Sequence, residues 1–225
     1  TNIYAANGNI YRRANGIGGW YEISLPSGAS RCGMLATDGT GDLYGLFTKG
    51  DDWTAFHSVQ HYTGSGWELV NTGTLDVKQI GSGYDLIFVF TEVSSEKYAV
   101  YTTPGTGAPT LRNPSVDLPV GCAGNSTDSY FATRTGIYTS SGALLGGSAP
   151  GTELVGIAIG NNGDVYTANY RYAYRYSGSW SSTGLDLDSD PATGVAVLQT
   201  ASASKNLLLI SCDEGYGEVP LTAAG

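Results

Sequence analysis

The chain has 225 residues, of which 33 are glycine and 16 are tyrosine, and only 14% carry a charge. Its formal net charge is −9, and its 11 Lys and Arg residues are scattered along the sequence. A phosphate-binding surface needs clustered cations, so this composition argues against nucleic acid as a partner. No apolar run is long enough for membrane insertion. No window shows a sustained helical stripe of apolar residues, which leaves an all-β fold.

A short unit returns six times along the chain. Each copy begins with an acidic or amide residue that leads into a strand of aliphatic and aromatic residues, roughly 40 residues after the previous one. Repeats of this length that contain strands and turns are typical of propeller blades, so we predict a single β-propeller domain over residues 1–225. Six blades are favoured, and five blades with an extra hairpin are the alternative. The copies begin at Asn2, Asp42, Asp85, Asp128, Asp164 and Asn206.

The full copies share one order of elements. An inner apolar strand is followed by a turn rich in Asp, Asn and Gly, and then by a second strand. The third strand mixes Tyr with polar residues, and the fourth begins at a Trp. In chain order, the first copy has predicted strands at 2–7 and 9–13, followed by Trp20, and the second has a turn at 38–41, strands at 42–47 and 59–63, and Trp67. The third copy has predicted strands at 77–81, 85–90 and 98–103. The fifth has predicted strands at 154–159, 164–169 and 172–176, followed by Trp180.

The two ends of the chain are incomplete in a complementary way. The N-terminus begins at a second strand, whereas the C-terminal segment Glu218–Gly225 has the composition of an inner strand. Placed before Thr1, this segment parallels the copy that starts at Glu153. We therefore expect the C-terminal strand to pair with the N-terminal blade and to close the ring, which would remove exposed sheet edges.

The repeated pattern resembles that of the tectonin-type propeller lectins. The resemblance implies a six-bladed ring that recognises glycans. The residues that carry it are Asp164-Val165-Tyr166, Tyr174-Arg175-Tyr176 and Trp180, with Ile10-Tyr11-Arg12 and Trp20 in the first copy.

Aromatic residues also predict carbohydrate binding. Four Trp and sixteen Tyr exceed what a core of this size needs. Sugar rings lay their C–H faces on aromatic rings, while their hydroxyls need polar donors and acceptors. The third strands and the Trp positions supply this mixture. The predicted ligand-binding residues are Tyr11, Arg12, Trp20, His61, Trp67, Tyr174, Arg175 and Trp180.

One loop predicts a metal site. Asp186, Asp188 and Asp190 have the alternating spacing that wraps oxygen ligands around Ca²⁺, and the stretch resembles the calcium loops of integrin-type propellers. No Glu stands at position 12, which excludes an EF-hand, and a solvated acidic turn is the alternative. His57 and His61 lie in a predicted strand, which separates their side chains by roughly 13 Å and argues against zinc. The predicted function requires no cofactor, and Ca²⁺ is the one candidate metal ion.

The sequence predicts a carbohydrate-binding lectin with several weak glycan sites around the ring. Catalytic signatures are missing: there is no Gly-x-Ser-x-Gly elbow, and the acids that open the copies recur at equivalent turn positions. The chain is therefore predicted not to be an enzyme. The alternatives are a protein-interaction or self-assembling propeller and a glycan-cleaving enzyme with acids near the channel. The expected partners are glycans, in an extracellular or secreted location, with the cytoplasm as the alternative.

Overall fold

The computed structural model describes residues 2–14, 17–48, 56–160, 162–187, 192–198, 206–212 and 215–221. Within these ranges the chain forms antiparallel sheets with a short 3-10 turn at Leu145–Gly147. The predicted all-β class is confirmed. The chain divides into two compact units, Thr1–Ser115 and Val116–Gly225. The single propeller domain over residues 1–225 stays a prediction.

Three sheets make up the first unit, and in each of them neighbouring strands are also neighbours in the sequence. The first sheet contains β1 (Ile3–Asn7), β2 (Asn9–Arg13) and β3 (Tyr21–Ile23). The second contains β4 (Arg31–Thr37), β5 (Leu43–Thr48), β6 (Phe56–Tyr62) and β7 (Trp67–Leu69). The third contains β8 (Val77–Ser82), β9 (Ile87–Ser94), β10 (Lys97–Thr103) and β11 (Thr110–Asp117), whose last residues belong to the second unit by sequence.

The second unit repeats this arrangement with three further sheets. The fourth sheet contains β12 (Pro119–Gly124), β13 (Ser129–Thr133) and β14 (Gly136–Thr139). The fifth contains β15 (Gly156–Ile159), β16 (Val165–Ala168), β17 (Tyr172–Tyr176) and β18 (Trp180–Asp186). The sixth contains β19 (Ala192–Leu198), β20 (Asn206–Cys212) and β21 (Gly215–Leu221).

The central strands are apolar on both faces because each face packs against a neighbouring sheet. All six residues of β5 are buried. Leu43 and Phe47 face the core shared with the first sheet, whereas Tyr44 and Leu46 face the core shared with the third. This period of two is what a strand imposes, and it decides which side chains of the second sheet can reach a given cleft.

Buried carboxylates hold the turns that open the repeats. Asp164 is 8% exposed and accepts hydrogen bonds from Arg175 Nε at 2.6 Å and from Asn162 Nδ2 at 2.5 Å. Arg175 Nη2 lies 2.5 Å from the same carboxylate. Tyr166 lies opposite Arg175 in the sheet, and burial followed by the charge of Asp164 raises the pKa of its hydroxyl. A charge taken out of water is retained here because it is paired and hydrogen-bonded.

The strand pairing of the C-terminal segment differs from the prediction. Residues 215–221 form β21, which pairs with β20 from Asn206 opposite Leu221 to Cys212 opposite Gly215. The sequence predicts that residues 218–225 pair with the first blade, and residues 222–225 lie outside the described ranges. Only two residues separate β20 from β21, so a local hairpin forms at a lower loop-closure cost than a pairing across the whole chain. The number of blades and the closure of a ring stay predictions.

We expect Asp164→Asn to lower the free energy of unfolding by about 2–4 kcal/mol, because it leaves the Arg175 guanidinium without its counter-charge. The matched control is Asp186→Asn. Asp186 also contacts two nitrogens of a guanidinium, that of Arg171, at 3.0 and 3.2 Å, but both side chains are about half exposed. Its loss should cost less than about 1 kcal/mol. Urea unfolding of both variants measures the difference, and equal costs would contradict a structural role for the buried pair.

Candidate functional site

An open cleft lies between the first and second sheets of the first unit, with a volume of about 550 Å³. One wall is the end of β3 and the segment that follows it, and the other is the β6–β7 hairpin. We name it the Trp67 cleft. Its lining residues are Glu22, Ile23, Ser24, Leu25, Pro26, Ser27, Gln60, Tyr62, Ser65, Gly66 and Trp67.

Trp67 holds the two walls together. Its indole N–H donates to the Ser24 carbonyl at 2.8 Å, which ties the segment after β3 to the edge of the second sheet. Its ring meets Phe47 edge-on at 4.9 Å and Tyr62 at 5.1 Å between ring centroids. Tyr62 lies directly opposite Trp67 in the β6–β7 ladder. These contacts fix two aromatic rings side by side in the cleft.

The polar groups of this cleft are available to a ligand. Glu22 is exposed, and its carboxylate has no hydrogen bond or ion pair to any residue that the structure describes. The Gln60 amide donates once, to Ser58 Oγ at 3.0 Å, which leaves its carbonyl oxygen unpaired. The Tyr62 hydroxyl donates to the Gly64 carbonyl at 2.9 Å and can still accept. Aromatic rings beside unpaired acceptors are the arrangement that carbohydrate binding requires.

Two clefts beside the repeat turns have a different character. One, of about 520 Å³, is lined by Asn2, Tyr4 and residues 37–41, and the other, of about 470 Å³, by residues 124–127 and the turn after β15. In each of them, one acidic or amide side chain is used by its own turn. Asp38 Oδ1 accepts from the amide and hydroxyl of Thr40, and Asn125 Oδ1 accepts from the same two groups of Thr127. These carboxylate and amide oxygens stabilise turns, which makes the Trp67 cleft the better candidate site.

Trp180 is the counterpart of Trp67 in the second unit, and a 3-10 turn lies against its ring. Its ring lies 5.1 Å from that of Tyr176, directly opposite in the β17–β18 ladder, and its indole N–H donates to the Leu145 carbonyl at 3.2 Å. A Cβ on Gly146 would come within 2.8 Å of the Tyr176 ring and 3.3 Å of the Trp180 ring. The 3-10 turn thus packs against the aromatic pair. The two units thus share a Tyr–Trp pair across a hairpin, and both pairs pack against a core cluster.

We expect Gly146→Ala to destabilise the protein more than Gly147→Ala. Both glycines have positive φ, 69° and 70°, so the conformational cost is similar, at about 1 kcal/mol. A Cβ on Gly147 meets nothing within 4 Å, whereas one on Gly146 overlaps the Tyr176 ring. The clash should add about 1–3 kcal/mol. Urea midpoints of the two variants test this, and a smaller loss for Gly146→Ala would mean that the turn does not press on the aromatic pair.

The predicted site residues of the first sheet surround the Trp67 cleft without lining it. Trp20 precedes β3 and is 47% exposed. Tyr11 lies opposite Glu22 in the β2–β3 ladder, and Arg12 lies opposite Tyr21. The ligand-binding roles of Tyr11, Arg12 and Trp20 stay predictions.

The other predicted residues make internal contacts. His61 stacks on Tyr44 at 4.9 Å, and its Nε2 lies 3.4 Å from Asp42 Oδ2. Arg175 binds Asp164, as described above. The hydroxyl of Tyr174 accepts from Asn169 Nδ2 at 3.4 Å. Their ligand-binding roles stay predictions.

Sequence reasoning named one residue of the cleft, Trp67, and omitted its partners. Gln60 and Tyr62 flank His61 in β6, so they point to one face of the sheet and His61 points to the other. The alternation of side chains along β6 could have identified Gln60 and Tyr62 as a pair on one face. Tyr62 faces Trp67 across a hairpin, which would have selected the correct face. Glu22 comes from a different sheet, so no local pattern identifies it.

The predicted calcium loop is described only at its start. Asp186 ends β18 and pairs with Arg171, and Asp188 and Asp190 lie outside the described residues. Among the described residues, no group of three or more His, Cys, Asp and Glu could hold a metal ion. The strand that contains His57 and His61 is confirmed, and the side chain of His57 also lies outside the description.

No family model and no curated protein matches the sequence, whereas solved structures match its fold at low identity. BBS1N in complex with ARL6DN gives a TM-score of 0.61 at 14% identity, over 99% of this chain and 75% of that one. A gluconolactonase from Xanthomonas campestris gives 0.54 at 14%, over 95% and 78%. The extracellular domain of a one component system from B. thetaiotaomicron gives 0.56 at 10%, over 97% and 34%.

These structures are β-propeller-like proteins, and the chain shares that fold. The prediction that the chain is not an enzyme is wrong, because gluconolactonases, which are enzymes, stand among its structural neighbours. The absence of known catalytic motifs in the sequence is therefore no evidence against enzymatic activity, because one fold can support many different chemistries. The tectonin-type resemblance stays a prediction. No helix in the described ranges is both long and apolar enough to cross a membrane.

Proposed function

We propose that the protein binds carbohydrate in the Trp67 cleft. The observation that carries the proposal is the pairing of Trp67 and Tyr62 beside the unpaired Glu22 carboxylate and Gln60 carbonyl. One of the two aromatic rings can stack on the C–H face of a sugar ring, and the acceptors can take its hydroxyl hydrogens. A volume of about 550 Å³ suits one or two sugar rings in an open groove.

The proposal reduces the number of glycan sites from the several that the sequence repeat predicts to one. The third sheet has no Trp at the equivalent position, and the Trp180 position is occupied by the 3-10 turn. Binding at a single open groove is weak, so cell-surface glycans would be held by several copies of the protein acting together. An extracellular or secreted location fits this use.

We expect Trp67→Ala to weaken sugar binding by about 1–3 kcal/mol, because the stacking platform is lost. Trp180→Ala is the matched control, since Trp180 also has a tyrosine partner across its hairpin and an indole hydrogen bond to a backbone carbonyl, and it lies outside the lining of the Trp67 cleft. Calorimetry with the best ligand from a glycan array measures both variants. Gln60→Ala should also weaken binding, and it leaves the indole bond to Ser24 intact. Equal losses in the two Trp variants would contradict the assignment of the site.

A protein-interaction role is the second candidate function. It is favoured by three exposed apolar side chains around the start of β3: Ile17 at 77%, Trp20 at 47% and Tyr21 at 64%. Large exposed rings close together are typical of protein interfaces, and BBS1N is a structural neighbour solved with a protein partner. A glycan array without any bound sugar would favour this role.

Catalysis is tested in the same experiment. Two structural neighbours are gluconolactonases, so any ligand that binds should also be assayed for turnover.

Calcium binding by the predicted loop at Asp186, Asp188 and Asp190 is tested by thermal melting. If this loop binds Ca²⁺, millimolar calcium raises the melting temperature by mass action, and Asp188→Ala abolishes that rise. An equal rise in both proteins would identify the loop as a solvated turn.

A further inference from the structure

The Trp67 cleft has more hydrogen-bond acceptors than donors. Glu22 offers an unpaired carboxylate and Gln60 an unpaired carbonyl oxygen. Two of the donors that line the cleft are already used, since the Trp67 indole donates to Ser24 and the Tyr62 hydroxyl donates to Gly64. One amide N–H of Gln60 is also used. The remaining side-chain donors are its second amide N–H and serine hydroxyls. A ligand that fits this cleft must therefore bring donors of its own.

The charge of the cleft points in the same direction. Its lining contains the Glu22 carboxylate and no Lys, Arg or His. Arg12 lies on the neighbouring strand but faces Tyr4 and Tyr21 across its ladders. The rings of Trp67 and Tyr62 add a second attraction, because aromatic faces bind cations. The cleft therefore favours a positive group and repels an anionic one.

We propose that the ligand is an amino sugar with a protonated amine, as in oligosaccharides of glucosamine. The inference rests on the proposed carbohydrate site and names its substrate class. An ammonium group brings three donors and one positive charge, which match the acceptors and the carboxylate. N-acetylation removes the positive charge of the amine. A uronic acid carries a negative charge instead, which the Glu22 carboxylate repels. The site thus separates free amino sugars from acetylated and acidic ones.

The test compares four ligands by calorimetry at about pH 6, below the usual pKa of an amine. They are a short glucosamine oligomer, the N-acetylated oligomer of equal length, an oligogalacturonate and spermine. The glucosamine oligomer should bind about tenfold tighter than its acetylated form, as expected for one charge-assisted hydrogen bond. Its advantage should shrink as salt is added. The oligogalacturonate and spermine should bind more weakly than the glucosamine oligomer.

Glu22→Gln should abolish the tenfold preference for the glucosamine oligomer, because the amide keeps the size of the side chain and removes its charge. Glu68→Gln is the matched control. It removes the same charge from exposed Glu68 of β7, which lies opposite His61 and outside the cleft lining. This variant should keep the preference. Melting temperatures of both variants confirm that each is folded.

Each other outcome has a defined meaning. Equal or tighter binding of the acetylated oligomer, lost in Trp67→Ala, overturns the amino-sugar proposal and supports the carbohydrate site. An equal loss in Glu22→Gln and Glu68→Gln overturns it in favour of nonspecific attraction to an acidic protein. Spermine that binds as tightly as the glucosamine oligomer also overturns it, because the sugar ring then contributes nothing. If no sugar binds at all, both proposals fail.

Discussion

The hydrogen bond from the Trp67 indole to the Ser24 carbonyl determines the shape of the candidate site. It joins the edge of the second sheet to the segment that follows the first, over 2.8 Å. The indole is held in place by Phe47 from the core and by Tyr62 across the hairpin. Because the donor is satisfied and the ring is fixed, the aromatic surface is presented without the entropy loss that a mobile side chain would bring to binding.

The second unit uses the same parts for packing. Trp180 repeats the ring contact and the indole hydrogen bond, but its acceptor belongs to a 3-10 turn that lies against the ring. Gly146 makes this approach feasible, since any Cβ there would overlap Tyr176. One structural device thus anchors neighbouring sheets in both units.

The sequence predicted the strands well, since their signals are local. The repeats at Asp42 and Asp164 and the Trp residues at 67 and 180 fall where a period of roughly 40 residues places them, and the strands around them alternate as expected. The last strand pairs with β20, from which only two residues separate it, and its predicted pairing with the N-terminal blade stays a prediction.

The composition of the site could be predicted only in part, because contacts between sheets leave no local pattern. Trp67 was named from its place in the repeat, and Gln60 and Tyr62 follow from it through strand alternation. Glu22 could not be found in this way, since it comes from another sheet. His61 and Arg175 looked like ligand contacts in the sequence. His61 instead contacts Tyr44 and Asp42, and Arg175 pairs with the buried Asp164 carboxylate, which needs a partner because it is removed from water.

Indole nitrogen–proton NMR signals test the central claim most directly. The chain has four Trp residues, so four indole signals are expected, and single Trp→Phe variants assign them. Titration with the tightest-binding sugar should move the Trp67 signal in proportion to the bound fraction and leave the Trp180 signal in place. A sugar that binds while the Trp67 signal stays fixed would contradict the account, because the ligand would then occupy another part of the protein.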